Sequence, residues 1–221
     1  NDTATTEIYT LSLHDALPIS MDKRSEEVMT TVDIKKGQLG RHVTRAVKAI
    51  NDGYVIAVPM ENAYAYLCDA FSHDAVRAMH VLRGSNNGIK AQVLVRDVKM
   101  AEGISRNMDG RTLTAMKKYW PGKVTFQVLP SALLNWDLGD NNEVDEVAIR
   151  VPSAAFVKAI LAKTGPLATA SVAKVGENAI TASNEVPTDG IEVFFSNGKL
   201  RKGLPSTVVR TVAGVHSVLR D

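Results

Sequence analysis

Tyr54-Val55-Ile56-Ala57-Val58-Pro59-Met60-Glu61-Asn62 is the stretch on which the fold turns. Its first five residues are apolar and rich in β-formers, which predicts a short strand buried on both faces. Pro59 cannot donate to a ladder and stops the run, so a polar loop opens at the strand end. Upstream, Leu39, Val43, Ala46, Val47 and Ile50 recur on one face of a 3.6-residue period, closed by Asn51-Asp52-Gly53. A helix, a buried strand and a polar turn in that order form a unit of an open α/β sheet, in which ligands gather at strand ends.

The same reading extends outward. Ser72 is placed to cap a helix with Val76 and Met79 inward. Ala91–Arg96 and Val124–Leu129 read as strands, separated by a helix over Thr112–Tyr119 that Pro121-Gly122 ends. Ser131–Asp145 is polar and turn-rich, a predicted surface loop. Val147–Val151 returns as a strand. Ser153, after Pro152, is expected to open a helix with Phe156, Val157, Ile160 and Leu161 inward, ending at Gly165-Pro166. Short strands follow around Glu192–Phe195, Thr207–Val212 and Val215–Leu219. Helices and strands mix without strict βαβ alternation, so the expectation is one α/β domain with an open mixed sheet and flanking helices.

Composition agrees with a globular chain: 221 residues, 45% hydrophobic and 23% charged. No apolar run approaches the roughly 18 residues of a membrane helix, and a cytoplasmic protein is expected. The single cysteine, Cys68, excludes an internal disulfide and a cysteine-based zinc site, and reads as a buried structural thiol. Residues 1–20 lack the basic and apolar regions of a signal peptide, and Glu7–Ser20 resembles a translated sequencing adapter ahead of Met21. The expected division is an artefactual leader over 1–20, a flexible segment over 21–38 and the domain over 39–221. The leader carries three carboxylates and no Lys or Arg, so the formal net charge is +2 with it and +5 without it. A mildly basic chain suits a phosphate-bearing ligand or RNA.

Phosphate-loop, dinucleotide-fingerprint, zincin and nucleophile-elbow motifs are missing. The five histidines, His14, His42, His73, His80 and His216, are scattered and read as lone surface groups. What stands out is a series of polar clusters at strand edges: Pro59–Asn62, Arg83–Gly88, Pro121–Thr125, Ala148–Pro152, Gly165–Ser171 and Pro205–Thr207.

Their order and wording resemble the YrdC-like threonylcarbamoyl-adenylate synthase family, in its actinobacterial form. The family pattern VxPTxTxYGL is echoed from Val58 to Leu67, a Lys-Gly-Arg segment by Arg83-Gly84-Ser85, and WPGxxT by Trp120–Thr125. R-x-P appears as Arg150-Val151-Pro152, PLxxxSAN as Pro166–Ala173, and STVVD as Ser206–Arg210. The loop Asn135–Asp140 looks like that of actinobacterial members, and the resemblance runs from about Leu39 to Arg220.

The resemblance implies a twisted sheet around a concave basic cavity, and synthesis of threonylcarbamoyl-AMP and pyrophosphate from ATP, L-threonine and bicarbonate, with Mg2+, for modification of a tRNA adenosine. Binding to double-stranded RNA, and partnership with other tRNA-modification proteins, belong to the same expectation. By motif position, Arg150, Thr169 and Ser206 would bind threonine, while Arg83, Ser171 and Arg220 would face the nucleotide. Some motif positions depart from the pattern: Met60 and Asn62 stand for threonines, Ser85 for an arginine, Ala173 for an asparagine and Arg210 for an aspartate. Two readings therefore stand side by side: a working synthase with a drifted site, for which Lys90 or Arg210 would supply compensating charge, and a catalytically impaired nucleotide- or RNA-binding module.

Overall fold

A computed structural model describes residues 29–86, 88–106, 108–140, 145–212 and 215–220. The proposed leader lies outside the described residues. Among the described residues, ten strands form one mixed sheet. They are β1 (Thr30–Asp33), β2 (Ile56–Pro59), β3 (Tyr64–Asp69), β4 (Gln92–Leu94), β5 (Val124–Val128), β6 (Val147–Arg150), β7 (Leu167–Ser171), β8 (Val193–Ser196), β9 (Thr207–Val212) and β10 (Val215–Arg220). The spatial order is β1-β8-β2-β3-β7-β4-β6-β5-β9-β10. Parallel pairings (β1 with β8, β2 with β8, β4 with β6, β5 with β9) mix with antiparallel ones, as the missing βαβ rhythm predicts.

Among the described residues, five α-helices cover the sheet: α1 (Leu39–Asn51), α2 (His73–Arg83), α3 (Val98–Ile104), α4 (Gly110–Tyr119) and α5 (Ala155–Leu161). Helices α1 and α5 bury Val43, Ala46, Ile50, Phe156, Val157 and Ile160 against Leu67, Leu94, Leu167 and Phe195 on one face. The opposite face packs Val76 and Met79 of α2, Ala101 of α3 and Met116 of α4 over Tyr66, Val93, Phe126 and Ala168. Ser72 caps α2 by accepting from the Ala75 amide at 3.3 Å, and Gly84 closes it in the left-handed conformation that a glycine adopts without strain. Among the described residues, no helix is long and apolar enough to cross a membrane.

Several expectations need correction. The flexible segment proposed for 21–38 includes Thr30–Asp33, which pairs in parallel with β8; the β-branched run Thr30-Thr31-Val32 is too short to stand out without its partner. The Ser131–Asp145 loop is not confined to the surface. Trp136, Asp137, Leu138 and Asp140 are buried, and the Leu138 and Gly139 carbonyls accept from the amides of Ala91 and Gly88. His80 is likewise no surface group: it is buried, with Nε2 2.9 Å from the Leu138 carbonyl. Ser153 does not cap α5, whose N-cap is Ala154 with no side-chain bond, because Ser153 is engaged elsewhere. Cys68 is fully buried on β3, and burial pushes its thiol pKa far up, which keeps it protonated and inert.

Gly139 locks the buried loop. Its φ is +107°, and a Cβ there would lie 2.4 Å from His80 Nε2 and 2.7 Å from the Ile89 carbonyl. Gly139→Ala is therefore expected to lower the unfolding free energy by about 2–4 kcal/mol, from overpacking and a strained φ together. Urea denaturation with an unchanged m-value checks this.

Candidate functional site

Residues opposite one another in a ladder share a face, and alternate residues on a strand do too. Through Leu67↔Thr169, Gln92↔Thr169, Leu94↔Arg150 and Thr125↔Val208, the registers put Ala65, Thr169, Ser171, Gln92, Arg150, Thr125 and Val208 on the α1/α5 face. Helices α1 and α5 cover only part of that face. The rest forms the floor of a cavity of about 700 Å3, rimmed by the β2–β3 turn, the start of β5 and the segment before β9.

All six residues singled out from the sequence line this cavity: Arg150, Thr169, Ser206, Arg83, Ser171 and Arg220. Their surroundings differ. Arg150 ends β6 and is buried; its Nη1 donates to both Glu61 carboxylate oxygens at 3.2 Å and to the Gly122 carbonyl at 3.3 Å. Its Nε is buried without a hydrogen-bond partner, an unmet donor at the cavity wall. The Thr169 hydroxyl donates to the Tyr66 carbonyl at 2.9 Å. Ser206 Oγ ends a relay in which Gln92 Nε2 donates to Thr125 Oγ1 at 2.6 Å and Thr125 Oγ1 donates to Ser206 Oγ at 2.9 Å. Arg220 wraps the same serine, reaching its carbonyl at 2.8 Å and its hydroxyl at 3.1 Å. Ser171 Oγ accepts from the Ala173 amide at 3.1 Å, and Arg83 Nε is buried and unpartnered.

Five cations, Arg83, Lys90, Lys123, Arg150 and Arg220, face the cavity against two carboxylates, Glu61 and Glu177. Sequence reading gave no role to Glu61, Asn62, Gln92, Lys123, Thr125 or Glu177, although Glu61 and Asn62 sit in the polar cluster after β2. Glu61 is the hub. Besides Arg150, its Oε1 accepts from the Ser153 amide at 2.7 Å and from the Ser153 hydroxyl at 3.2 Å. Burial alone would push its carboxyl pKa up, but the Arg150 charge and the Ser153 amide outweigh it and hold the group below the usual glutamate range.

The departures from the family pattern have distinct fates. Met60 packs beneath α1 and α5 and also lines the cavity, and Ala173 is buried. Asn62 Nδ2 donates to the Gly203 and Leu204 carbonyls at 2.7 and 3.0 Å, tying that segment across the cavity rim. Ser85 Oγ is buried without a partner. Arg210 pairs with Glu146 at 2.6 Å and does not line the cavity. Lys90 does line it, but pairs with Asp140 at 3.4 Å and with Asp145. Among the described residues no group of three His, Cys, Asp or Glu gathers as a metal site.

The Glu61 linkage carries a testable sign. A carboxyl whose pKa is depressed on folding adds stability above its unfolded pKa, and that stability is lost as pH falls through the folded value. The stability advantage of the unmutated chain over Glu61→Gln is thus expected to be full at neutral pH and to shrink below the ordinary glutamate pKa of 4.5. Thermal unfolding of both chains between about pH 7 and pH 3 measures it.

Known proteins resemble this chain in sequence and in fold. The sequence pattern of the family described as Sua5_yciO_yrdC, telomere recombination, matches residues 48–221. A Mycobacterium leprae relative is 27% identical over 205 residues, 89% of each chain. A Pseudomonas entomophila protein named threonylcarbamoyl-AMP synthase is 30% identical over 157 residues, 70% of this chain and 80% of the relative. Among solved structures, Escherichia coli YciO superposes with a TM-score of 0.74 at 21% identity over 87% of this chain and 93% of its own. Pyrococcus abyssi Sua5 complexed with L-threonine superposes with a TM-score of 0.76 at 22% identity; the match covers 87% of this chain and 57% of that one. With a pattern match over most of its length and the matching fold, this chain belongs to the Sua5/YciO/YrdC family.

Proposed function

We propose that the chain is a threonylcarbamoyl-AMP synthase, joining ATP, L-threonine and bicarbonate. The observation that carries this reading is the convergence of six motif residues, distant in sequence, on one cavity. About 700 Å3 lies within the range of ligand sites and suits a nucleotide with an amino acid. In the reaction, the threonine amine adds to bicarbonate with loss of water to give a carbamate. A carbamate oxygen then attacks the α-phosphorus, the α–β phosphoanhydride breaks, and pyrophosphate leaves. Such chemistry asks chiefly for positioning and charge stabilisation.

Arg150 suits the threonine carboxylate, since a guanidinium fork gives bidentate geometry and Glu61 already orients it. Thr169 and Ser206 present hydroxyl oxygens beside it, while Arg83, Arg220 and Ser171 serve the nucleotide. Magnesium would arrive on the triphosphate, as that ion usually does, and not in a protein cage. The product would serve modification of a tRNA adenosine in the cytoplasm. Ser85 and Ala173, which bring neither charge nor amide to the cavity, favour the second reading of a module that binds nucleotide without turnover.

Two experiments separate the readings. Pyrophosphate release that requires ATP, threonine and bicarbonate together supports the synthase; ATP binding without release supports the module. In calorimetry, Arg150→Ala is expected to weaken L-threonine binding by about 2–3 kcal/mol, the scale of a lost charge-assisted pair, and to affect a non-hydrolysable ATP analogue much less. Arg150→Lys should recover only part, because an ammonium lacks the fork. Equal losses for both ligands would instead mark a damaged cavity.

A further inference from the structure

Of the five cations facing the cavity, two are committed to carboxylates: Arg150 to Glu61, and Lys90 to Asp140 and Asp145. Among the described residues, Arg83, Lys123 and Arg220 face it without a carboxylate at ion-pair distance. Lys123 and Arg220 stand together. Lys123 Nζ donates to the Leu204 carbonyl at 3.0 Å, and Arg220 donates to the Ser206 carbonyl, so two positive charges flank Pro205 on a single three-residue segment. The segment is shaped to admit the lysine: a Cβ on Gly203 would lie 3.0 Å from Lys123 Nζ, tighter than ordinary contact.

We propose that Lys123, beside the Arg220 already assigned to the nucleotide, is a phosphate-contacting residue at the polyphosphate end of the cavity, at a position the family pattern leaves open. This rests on the nucleotide-binding reading above. A carbonyl is a neutral acceptor and brings no compensating charge, and exchange onto a phosphate oxygen replaces a bond with one ionised partner by a bond in which both partners are ionised. The four-carbon stem of a lysine allows that exchange without backbone movement. The added cation also answers the loss at Ser85, where the family carries an arginine. Neither residue first suggested as compensating does so freely, since Lys90 is bound by two aspartates and Arg210 lies outside the cavity lining.

Inorganic tripolyphosphate is the probe, titrated calorimetrically into the full chain and into Lys123→Met, Lys123→Arg and Lys202→Met. Lys202 is an exposed cation two residues before that segment and does not line the cavity. Lys123→Met is expected to weaken tripolyphosphate about 10- to 100-fold, the range for one charge-assisted contact, with threonine affinity and Tm unchanged. Lys123→Arg should restore most of the affinity, and Lys202→Met should stay within about twofold of the parent, as expected of an exposed, screened charge. The inference is overturned if the parent chain does not bind tripolyphosphate, if Lys123→Met binds it as the parent does, or if Lys202→Met loses as much. A fall in Tm with loss of both ligands would overturn it too, making Lys123 an anchor of the segment. Tripolyphosphate binding through Lys123 without any pyrophosphate release would keep this inference and refute the synthase, so the two fail separately.

Discussion

Glu61 is a carboxylate with little water around it, and it cannot stay charged there without help. It takes that help from the Arg150 guanidinium and from the Ser153 amide and hydroxyl. These contacts join the end of β2 to the end of β6 and the approach to α5, 89 and 92 positions further along the chain. Breaking a buried pair from one side leaves an uncompensated charge that commonly costs about 3–5 kcal/mol, so the three elements are tied to one geometry. The tie explains a local irregularity. Ser153, well placed by sequence to cap α5, is turned to the carboxylate and leaves the helix start without a side-chain cap.

The same pair prepares the cavity. A guanidinium held by a carboxylate at one edge is oriented before any ligand arrives, which lowers the ordering cost of binding. Around it the sheet supplies short hydroxyl and amide side chains from Gln92, Thr125 and Thr169, projecting from strands fixed by ladders on both sides. Longer cations reach in from the rim. The division is physical: rigid strands carry groups that must sit at fixed positions, whereas flexible stems at the edge can follow a polyphosphate.

Much of the fold was legible because its signals are local. The periodicity of α1, the Ser72 cap and Gly84 stop of α2, and the apolar runs of β2, β5 and β6 each depend on near neighbours in the chain. The elements that escaped notice lack such signals. Strand β7 reads Leu167-Ala168-Thr169-Ala170-Ser171, a weak β sequence, yet it lies between β3 and β4 in the middle of the sheet. Small residues suit that place because helices or the cavity crowd both faces, and packing overrides intrinsic preference. Helix α3 is seven residues long, and its cap, Asp97 accepting from the Met100 amide at 2.8 Å, is the only clear local mark.

For the site, sequence alone was enough to name Arg150, Thr169, Ser171, Ser206, Arg83 and Arg220, because their motifs are rare word patterns that survive without coordinates. It could not say which cations already had carboxylate partners. Lys90, Arg150 and Arg210 look alike as residues, but aspartates hold Lys90, Glu146 holds Arg210, and Glu61 takes Nη1 of Arg150 while its Nε stays unpartnered; Lys123 rests on a carbonyl. Availability is a property of distances across the fold, set by chain closure between residues such as Asn62 and Gly203, 141 positions apart. The amino-acid order determined which groups the cavity could own; the tertiary structure decided which of them a ligand can still use, because only folding brings the competing carboxylates within reach.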